Sequence, residues 1–256
     1  MVDRVGLRRI GIIGCGAIGN LIAEAVDKDI VKCDGLILYD YNAGKAQKLM
    51  EVLTVSAKVA QSVDEMIRLK PVVVVEAASQ QAARDYALKI LGAGIELVVM
   101  SVGGLLDLDL GGKSVQVPSG AIGGLDAIRA AALIGIDEVI LTSRKSPPAL
   151  GKTGNKEQVV FDGNAHDAVR LFPREMNVAA TLALAVSPDR IKVRVVADPK
   201  VTRNVHDLDV KWKHGEMSMR FENDPHPDNP KTSALAAWSA IRLLKDTLED
   251  RGQAKA

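Results

Sequence analysis

A glycine-rich turn directly after an apolar strand pattern is the strongest chemical feature of the sequence. The turn reads Gly14-Cys15-Gly16-Ala17-Ile18-Gly19. In such a turn the first glycine permits a tight strand-to-helix reversal, the second lets the backbone approach a pyrophosphate, and the third lets helix and strand pack closely. The amides of the first helical turn, at Ala17 and Ile18, would then face the phosphates. We therefore expect this segment to bind a dinucleotide.

Asp40 indicates which dinucleotide the turn would bind. It ends a second apolar strand pattern and lies 21 residues after Gly19, where a carboxylate can accept hydrogen bonds from the adenosine ribose hydroxyls. The same carboxylate would repel a 2′-phosphate, and the nearest following positive charge is on Lys45. We expect NAD as the cofactor, with NADP accepted as a second choice. A plain glycine-rich turn is the alternative, and the strand, helix and spaced acid together argue against it.

The loop after a valine-rich strand is expected to border the cofactor. Residues 72–75 are four consecutive valines, which is typical of a buried strand. Ligands of open α/β sheets lie beyond the carboxyl ends of the strands. The loop residues expected to contact the cofactor are Ala78, Ser79 and Gln80. Ser79 is also a reasonable helix N-cap, and the two roles are compatible.

A second small-residue segment opens a predicted helix. It reads Pro118-Ser119-Gly120-Ala121-Ile122-Gly123-Gly124-Leu125-Asp126. Backbone amides at such a turn form an anion-binding concavity, which could take a substrate carboxylate or lie against a nicotinamide. A plain glycine loop between two elements is the alternative. Asn177, at the head of a later helix, is similarly either an N-cap or a hydrogen-bond partner of the nicotinamide carboxamide.

Histidine is the side chain best suited to act as a near-neutral base in a dehydrogenation. Four histidines are present. His206 lies on a predicted strand between the apolar residues Val205 and Leu208, so it is the candidate for a buried base. His166 is expected to face solvent, His214 to lie in a hairpin turn and His226 in a proline-rich loop.

The elements that would position these residues predict an α/β protein. Strand and helix patterns alternate in the first half of the chain, as in parallel βαβ units. We expect a Rossmann dinucleotide-binding domain over residues 1–112 and an α+β substrate-binding and dimerisation domain over residues 113–230. The terminal helix, within residues 231–256, follows Asn229-Pro230 and is expected to pack back on the first domain.

The second domain is expected to contain a different kind of sheet. Polar and apolar residues alternate there in three consecutive runs, which predicts an antiparallel or mixed sheet with one solvated face. Such a sheet could equally form a dimer interface. The runs cover residues 190–197, 204–213 and 216–222.

Composition excludes several classes of protein. The net charge of +1 gives no reason to expect a nucleic acid or a membrane surface as partner. Cys15 and Cys33 follow no metal-ligand spacing and imply no disulfide framework, so neither a metal site nor thiol chemistry is expected. Three arginines among the first ten residues argue against a secretory signal, and no apolar stretch approaches a membrane span. A cytoplasmic protein is the expectation.

Together these segments resemble the L-aspartate dehydrogenases, and the match runs from about residue 9 to residue 245. The most specific blocks are the segment 118–126 and Asn229-Pro230-Lys231-Thr232-Ser233. Further matching blocks are Glu76–Gln80, Ser101–Gly103, Phe172-Pro173, Asn177–Ala180 and Asn204-Val205-His206.

The resemblance implies a homodimer that oxidises L-aspartate to iminoaspartate with NAD(P). The imine would be hydrolysed to oxaloacetate and ammonia, or passed to quinolinate synthase for pyridine nucleotide biosynthesis. The resemblance makes His206 the active-site residue and assigns cofactor contacts to Ala121 and Asn177. Ser119, Gly120, Lys231 and Thr232 become candidates for binding the substrate carboxylates. Residues 172–176 depart from the family pattern, which more often shows a Lys-Asn-type stretch before the asparagine.

Two other classes remain as alternatives. A Rossmann oxidoreductase of the dihydrodipicolinate-reductase or homoserine-dehydrogenase type would share the architecture, but the reductase needs a paired histidine that His206 lacks. An NAD(H)-sensing regulator would need a basic DNA-reading element, and the sequence shows none.

Overall fold

A computed structural model of the chain describes residues 7–226 and 229–253, with their side chains except at residues 226, 229–232 and 250–253. The chain divides into two compact units. The first comprises the residues up to Pro118 together with those from Ala240 onward, and the second is Ser119–Ser239.

The first unit contains a five-stranded parallel sheet with the strand order β3-β2-β1-β4-β5. This arrangement confirms the expected Rossmann-like nucleotide-binding fold. Its elements are β1 (Arg9–Ile13), α1 (Ala17–Asp27), β2 (Gly35–Tyr39), α2 (Ala43–Val52), β3 (Ala57–Val59), α3 (Val63–Arg68), β4 (Val73–Glu76), α4 (Gln80–Gly92) and β5 (Glu96–Val99).

Hydrophobic burial explains the position of the central strands. The valines of β4 are fully buried, as expected for a parallel strand covered on both faces. The helices contribute one apolar face each, and their caps mark where they begin. Asn42, Ser62 and Ser79 each accept a backbone N–H of the first turn of the helix that follows.

The first unit extends beyond the expected boundary at residue 112 because Gln116 is bound to its sheet. The Gln116 amide donates to Leu97, and its carbonyl accepts from Val99 at the edge strand β5. The Gln116 side chain accepts from Thr247 Oγ1 at 2.6 Å. Thr247 belongs to the helix α8 (Ala234–Gln253), whose residues from Ala240 onward lie in this unit.

The second unit is built on a mixed five-stranded sheet of order β10-β9-β6-β8-β7. β6 and β8 are parallel, and the other neighbouring pairs are antiparallel. Three helices pack against this sheet or each other. The elements are α5 (Leu125–Ala132), β6 (Ile136–Lys145), β7 (Gln158–Asn164), α6 (Ala165–Leu171), α7 (Asn177–Ala185), β8 (Ile191–Ala197), β9 (Asn204–Trp212), β10 (Gly215–Asn223), β11 (Pro225–His226) and β12 (Asn229–Ser233).

Two elements of the second unit differ from the sequence expectations. The strand β7 was not expected, because its residues are mostly exposed and lack clean alternation. The terminal helix was expected within residues 231–256, with Asn229-Pro230 as its start signal, but Asn229 and Pro230 lie in β12, and α8 begins at Ala234. The pairing of β12 with β11 explains the difference, since it commits the backbone to an extended conformation.

Among the described residues, no helix is both long enough and apolar enough to cross a membrane.

Glu76, at the carboxyl end of β4, is a buried carboxylate that organises the first unit. Its side chain is 1% exposed. Oε1 accepts from the amides of Ala78 and Ser79 and from Ser101 Oγ, and Oε2 accepts from the Ser101 amide, all at 2.8–3.0 Å. Burial raises the pKa of Glu76, while the four hydrogen bonds act in the opposite direction. The carboxyl group therefore joins the loops that follow β4 and β5.

Replacing Glu76 by alanine should lower the free energy of unfolding by about 2–4 kcal/mol, because buried donors would lose their acceptor. Urea denaturation measures this loss. Glu51→Ala, on the exposed surface of α2, is the control and should change stability by less than about 0.5 kcal/mol. Equal stabilities of the two variants would show that Glu76 does not organise these loops.

Candidate functional site

The three glycines of the first turn have three different surroundings. Gly14 has a φ of +95°, and a Cβ there would lie 2.7 Å from the Ala77 carbonyl oxygen. A Cβ on Gly19 would collide with the Gly14 carbonyl oxygen. A Cβ on Gly16, by contrast, would meet nothing within 4 Å. The turn is thus closed at its two ends and open at its centre, and the open side can accept a pyrophosphate.

The amino terminus of α1 faces this turn with its polar groups uncapped. Ala17 and Ile18 begin the helix, no side chain of the described residues caps it, and its first turn has no acidic residue. Free amides and a positive helix end favour an anion. Cys15 is buried beside them, and burial together with the nearby Asp40 charge raises the pKa of its thiol to about 12. The thiol therefore fills space within the turn.

Asp40 follows β2 and is bound to the glycine turn. Its Oδ2 accepts from the Cys15 amide and its Oδ1 from the Asn42 amide, both at 2.8 Å. The residue is only partly buried, and each carboxylate oxygen can accept a further hydrogen bond. Asp40 can therefore orient the turn and still bind two ribose hydroxyls.

The loop after β4 packs beside the same turn, since a Gly14 Cβ would also contact the Ala78 Cα. Ala78 and Ser79 are exposed at the carboxyl edge of the sheet, and Ser79 Oγ caps α4 by accepting the Ala82 amide. The Gln80 side chain is 8% exposed, and its Oε1 accepts from Arg84. The structure thus places Ala78 and Ser79 at the open edge and Gln80 inside the fold.

In the second unit, His206 lies in β9 with a side chain that is 2% exposed. Its Nδ1 is 2.9 Å from Ser143 Oγ of β6, its direct partner across the antiparallel pair. Burial, and secondly the positive charge of Lys145, lower the pKa of His206 to about 3. The imidazole is therefore neutral at ordinary pH, with one nitrogen oriented by Ser143.

Two buried amide atoms of the second unit lack a hydrogen-bond partner within the described part of the chain. They are Nδ2 of Asn204 and Oδ1 of Asn177. Asn177 is the first residue of α7 but caps no amide with its side chain, so the N-cap interpretation is wrong. Buried polar atoms without partners are costly. A ligand that offers an acceptor to Asn204 and a donor to Asn177 would remove that cost.

The small-residue segment before α5 is partly committed to internal hydrogen bonds. Ser119 is partly exposed. The Gly120 amide donates to Ser239 Oγ at 3.0 Å, and the Ala121 carbonyl accepts from Asn223 Nδ2 at 3.0 Å. Gly120 can therefore bind a carboxylate through its amide only by giving up the bond to Ser239. Ala121 is 6% exposed, so little of its surface is open to a ligand.

The remaining candidates divide into exposed and undescribed side chains. Lys231 and Thr232 lie in β12, but their side chains are outside the described residues, as is that of His226. His166 and His214 are exposed. Both therefore differ from His206, which is buried.

Sequence reasoning missed two polar residues next to His206. Ser143 and Lys145 follow Val139 and Leu141 at every second position of β6, so all four face the buried side of the sheet. This alternation is present in the sequence from Val139 to Lys145. A polar residue that continues an apolar period-two pattern is the signal that would have found Lys145.

Two family models match the chain in sequence order. Residues 14–117 match the model described as homoserine dehydrogenase, NAD binding domain. Residues 126–247 match the model described as aspartate dehydrogenase, C-terminal. The second match distinguishes this chain from homoserine dehydrogenases, although the chain shares their type of NAD-binding domain.

Full-length relatives point to the same group. The chain is 40% identical to an L-aspartate dehydrogenase of Methanosarcina barkeri, over 94% of this chain and 97% of the relative. It is 41% identical to that of Archaeoglobus fulgidus, over 94% and 98%. The structure resembles aspartate dehydrogenase from Thermotoga maritima with a TM-score of 0.74 and 27% identity, over 94% and 97% of the two chains. A myo-inositol dehydrogenase from Corynebacterium glutamicum, with a TM-score of 0.54 and 14% identity, shares the fold alone. This chain belongs to the L-aspartate dehydrogenase family.

Proposed function

We propose that the protein oxidises L-aspartate to iminoaspartate with NAD. The observation that carries the proposal is the identity of about 40% to L-aspartate dehydrogenases over nearly the whole of both chains. In this reaction the substrate ammonium loses one proton, and its Cα then loses a hydride. Water hydrolyses the resulting iminium to oxaloacetate and ammonium, so one proton is released overall.

The first unit offers the residues that would hold NAD. Gly14, Gly16 and Gly19 shape the turn, with open space only at Gly16. Ala17 and Ile18 supply uncapped helix amides, and Asp40 supplies acceptors for the ribose. Bound NAD⁺ supplies the acceptor for the hydride. The further cofactor contacts that we propose are Ala78, Ser79, Gln80, Ala121 and Asn177.

His206 is the proposed catalytic base. Hydride loss requires a neutral amine, and His206 would take the proton from the substrate ammonium. Its Nδ1–H would then donate to Ser143 Oγ, which leaves Nε2 unprotonated as the basic atom. Ser143 Oγ thereby holds the imidazole in place. The burial of His206 and its neutral state support this assignment.

We assign substrate carboxylate binding to Ser119, Gly120, Lys231 and Thr232, with Ser119 supported by its partial exposure. The physiological enzyme is proposed to be a cytoplasmic homodimer. Acceptance of NADP and hand-over of iminoaspartate to quinolinate synthase, for pyridine nucleotide biosynthesis, complete the proposal.

Substrate choice tests the function directly. The purified protein should reduce NAD with L-aspartate and show little activity with L-glutamate, L-alanine or L-homoserine. Absorbance of the reduced cofactor measures the rate. Faster turnover of homoserine than of aspartate would contradict the proposal and move the protein to the homoserine-dehydrogenase type.

Asp40→Asn should weaken NAD binding by roughly 10- to 100-fold, since a charge-assisted hydrogen bond contributes about 1.5–3 kcal/mol. NADP should lose less affinity, because the repulsion of its 2′-phosphate disappears. Calorimetric titration with both cofactors measures the ratio. Asp64→Asn, on the exposed face of α3, is the matched control and should bind both as the wild type does. Equal losses would mean that Asp40 acts only by holding the Cys15 and Asn42 amides.

His206→Ala should lower kcat by roughly 10²–10⁴-fold and leave NAD affinity nearly intact, as expected for a positioned acid–base group. His166→Ala and His214→Ala are controls and should retain most activity. Because the pKa of His206 is about 3 in the free protein, its protonation should not lower kcat/KM between about pH 5 and pH 8. Near-normal turnover of His206→Ala would remove it as the base.

A further inference from the structure

Lys145, the last residue of β6, is a lysine on the buried face of the second sheet. Its side chain is 2% exposed. It lies two residues after Ser143, so both side chains project to the same face. Since Ser143 Oγ contacts His206 Nδ1, Lys145 and His206 share that face.

The same face carries a second buried polar group. Asn204 precedes His206 by two residues in β9, is 3% exposed, and its Nδ2 has no hydrogen-bond partner among the described residues. The pairing of β6 with β9 is regular from Glu138 to Arg144 and brings the ends of the two strands together. The charged Lys145 and the Asn204 Nδ2 donor thus lie on the same face as the His206 imidazole.

The ion pairs described for these strand ends lie on the other face. Arg144 is adjacent to Lys145 and points the opposite way, toward Glu157 at 3.1 Å and Asp198 at 3.5 Å. Asp207, adjacent to His206, pairs with Arg220 at 2.6 Å. With three N–H donors, Lys145 can keep an existing contact and still bind a carboxylate.

We propose that Lys145 binds one carboxylate of the dicarboxylate substrate and thereby makes His206 a stronger base in the substrate complex. The inference rests on the proposed function and names a substrate-binding residue for it.

The charges that act on His206 support the second part of the proposal. β6 contributes Lys145. The facing residues of β10, Met219 and Phe221, do not titrate, and the charged residues of α5, Asp126 and Arg129, are exposed. Lys145 is the cation that lowers the pKa of His206, after burial itself. A carboxylate bound to Lys145 would offset that charge, so the pKa of His206 would rise when substrate binds.

Lys145→Met tests the binding role, with the whole enzyme and succinate as an unreactive dicarboxylate probe. Calorimetry should show succinate affinity reduced roughly 10- to 100-fold, the usual range for a charge-assisted contact. KM for L-aspartate should rise similarly, and NAD affinity should stay unchanged. Lys145→Arg, which keeps the charge, should restore part of the succinate affinity. Lys211→Met, on the exposed part of β9, is the matched control.

The basicity of His206 is measured separately, by NMR titration of its imidazole in the wild type with and without succinate. We expect a higher pKa with succinate, and in Lys145→Met a higher pKa already without it. Unchanged succinate affinity in Lys145→Met, or a His206 pKa insensitive to succinate, would overturn the inference. If the wild type fails to oxidise aspartate but binds succinate through Lys145, the proposed reaction fails and the dicarboxylate site stands.

Discussion

A charged or polar group removed from water must receive hydrogen bonds or an opposite charge, and this constraint orders both units. In the first unit, Glu76 is buried at the end of a central strand and accepts four hydrogen bonds from two neighbouring loops. In the second unit, Asn204 and Asn177 keep buried atoms without partners among the described residues. The hydrogen bonds of Glu76 lie within the fold and stabilise it, whereas a ligand could supply the partners that these two amide atoms lack.

Local patterns in the sequence were sufficient for most of the fold. The apolar run of β4, the Ser79 cap of α4 and the spacing of the glycines each depend on neighbouring residues, and the structure contains them where they were expected. β7 was missed because an exposed strand has no clean alternation. The short strand β12 was misread because its pairing with β11 overrides the helix-start signal of Asn229 and Pro230. Both errors come from strand pairing, which local patterns do not encode.

The candidate site also has a part that local patterns predict and a part that depends on strand pairing. The glycine turn and Asp40 lie in one βαβ unit, so their spacing alone brought them together. The neighbours of His206 come from β6, and no local signal relates Ser143 to a histidine 63 residues later. Only the antiparallel register of β6 and β9 joins them. Lys145 was detectable as a polar residue on an apolar face, but its relation to His206 required the same register.

Lys145 and His206 lie on one buried face of the sheet, and the charge of the lysine acts on the imidazole. Burial and, secondly, the charge of Lys145 lower the pKa of His206 and leave its imidazole neutral. A neutral imidazole is the form that can accept a proton, yet a pKa near 3 also makes it a weak acceptor. Any anion bound beside Lys145 weakens the repulsion and strengthens the base. A substrate carboxylate bound there would therefore supply part of the electrostatics needed for deprotonation of the substrate ammonium.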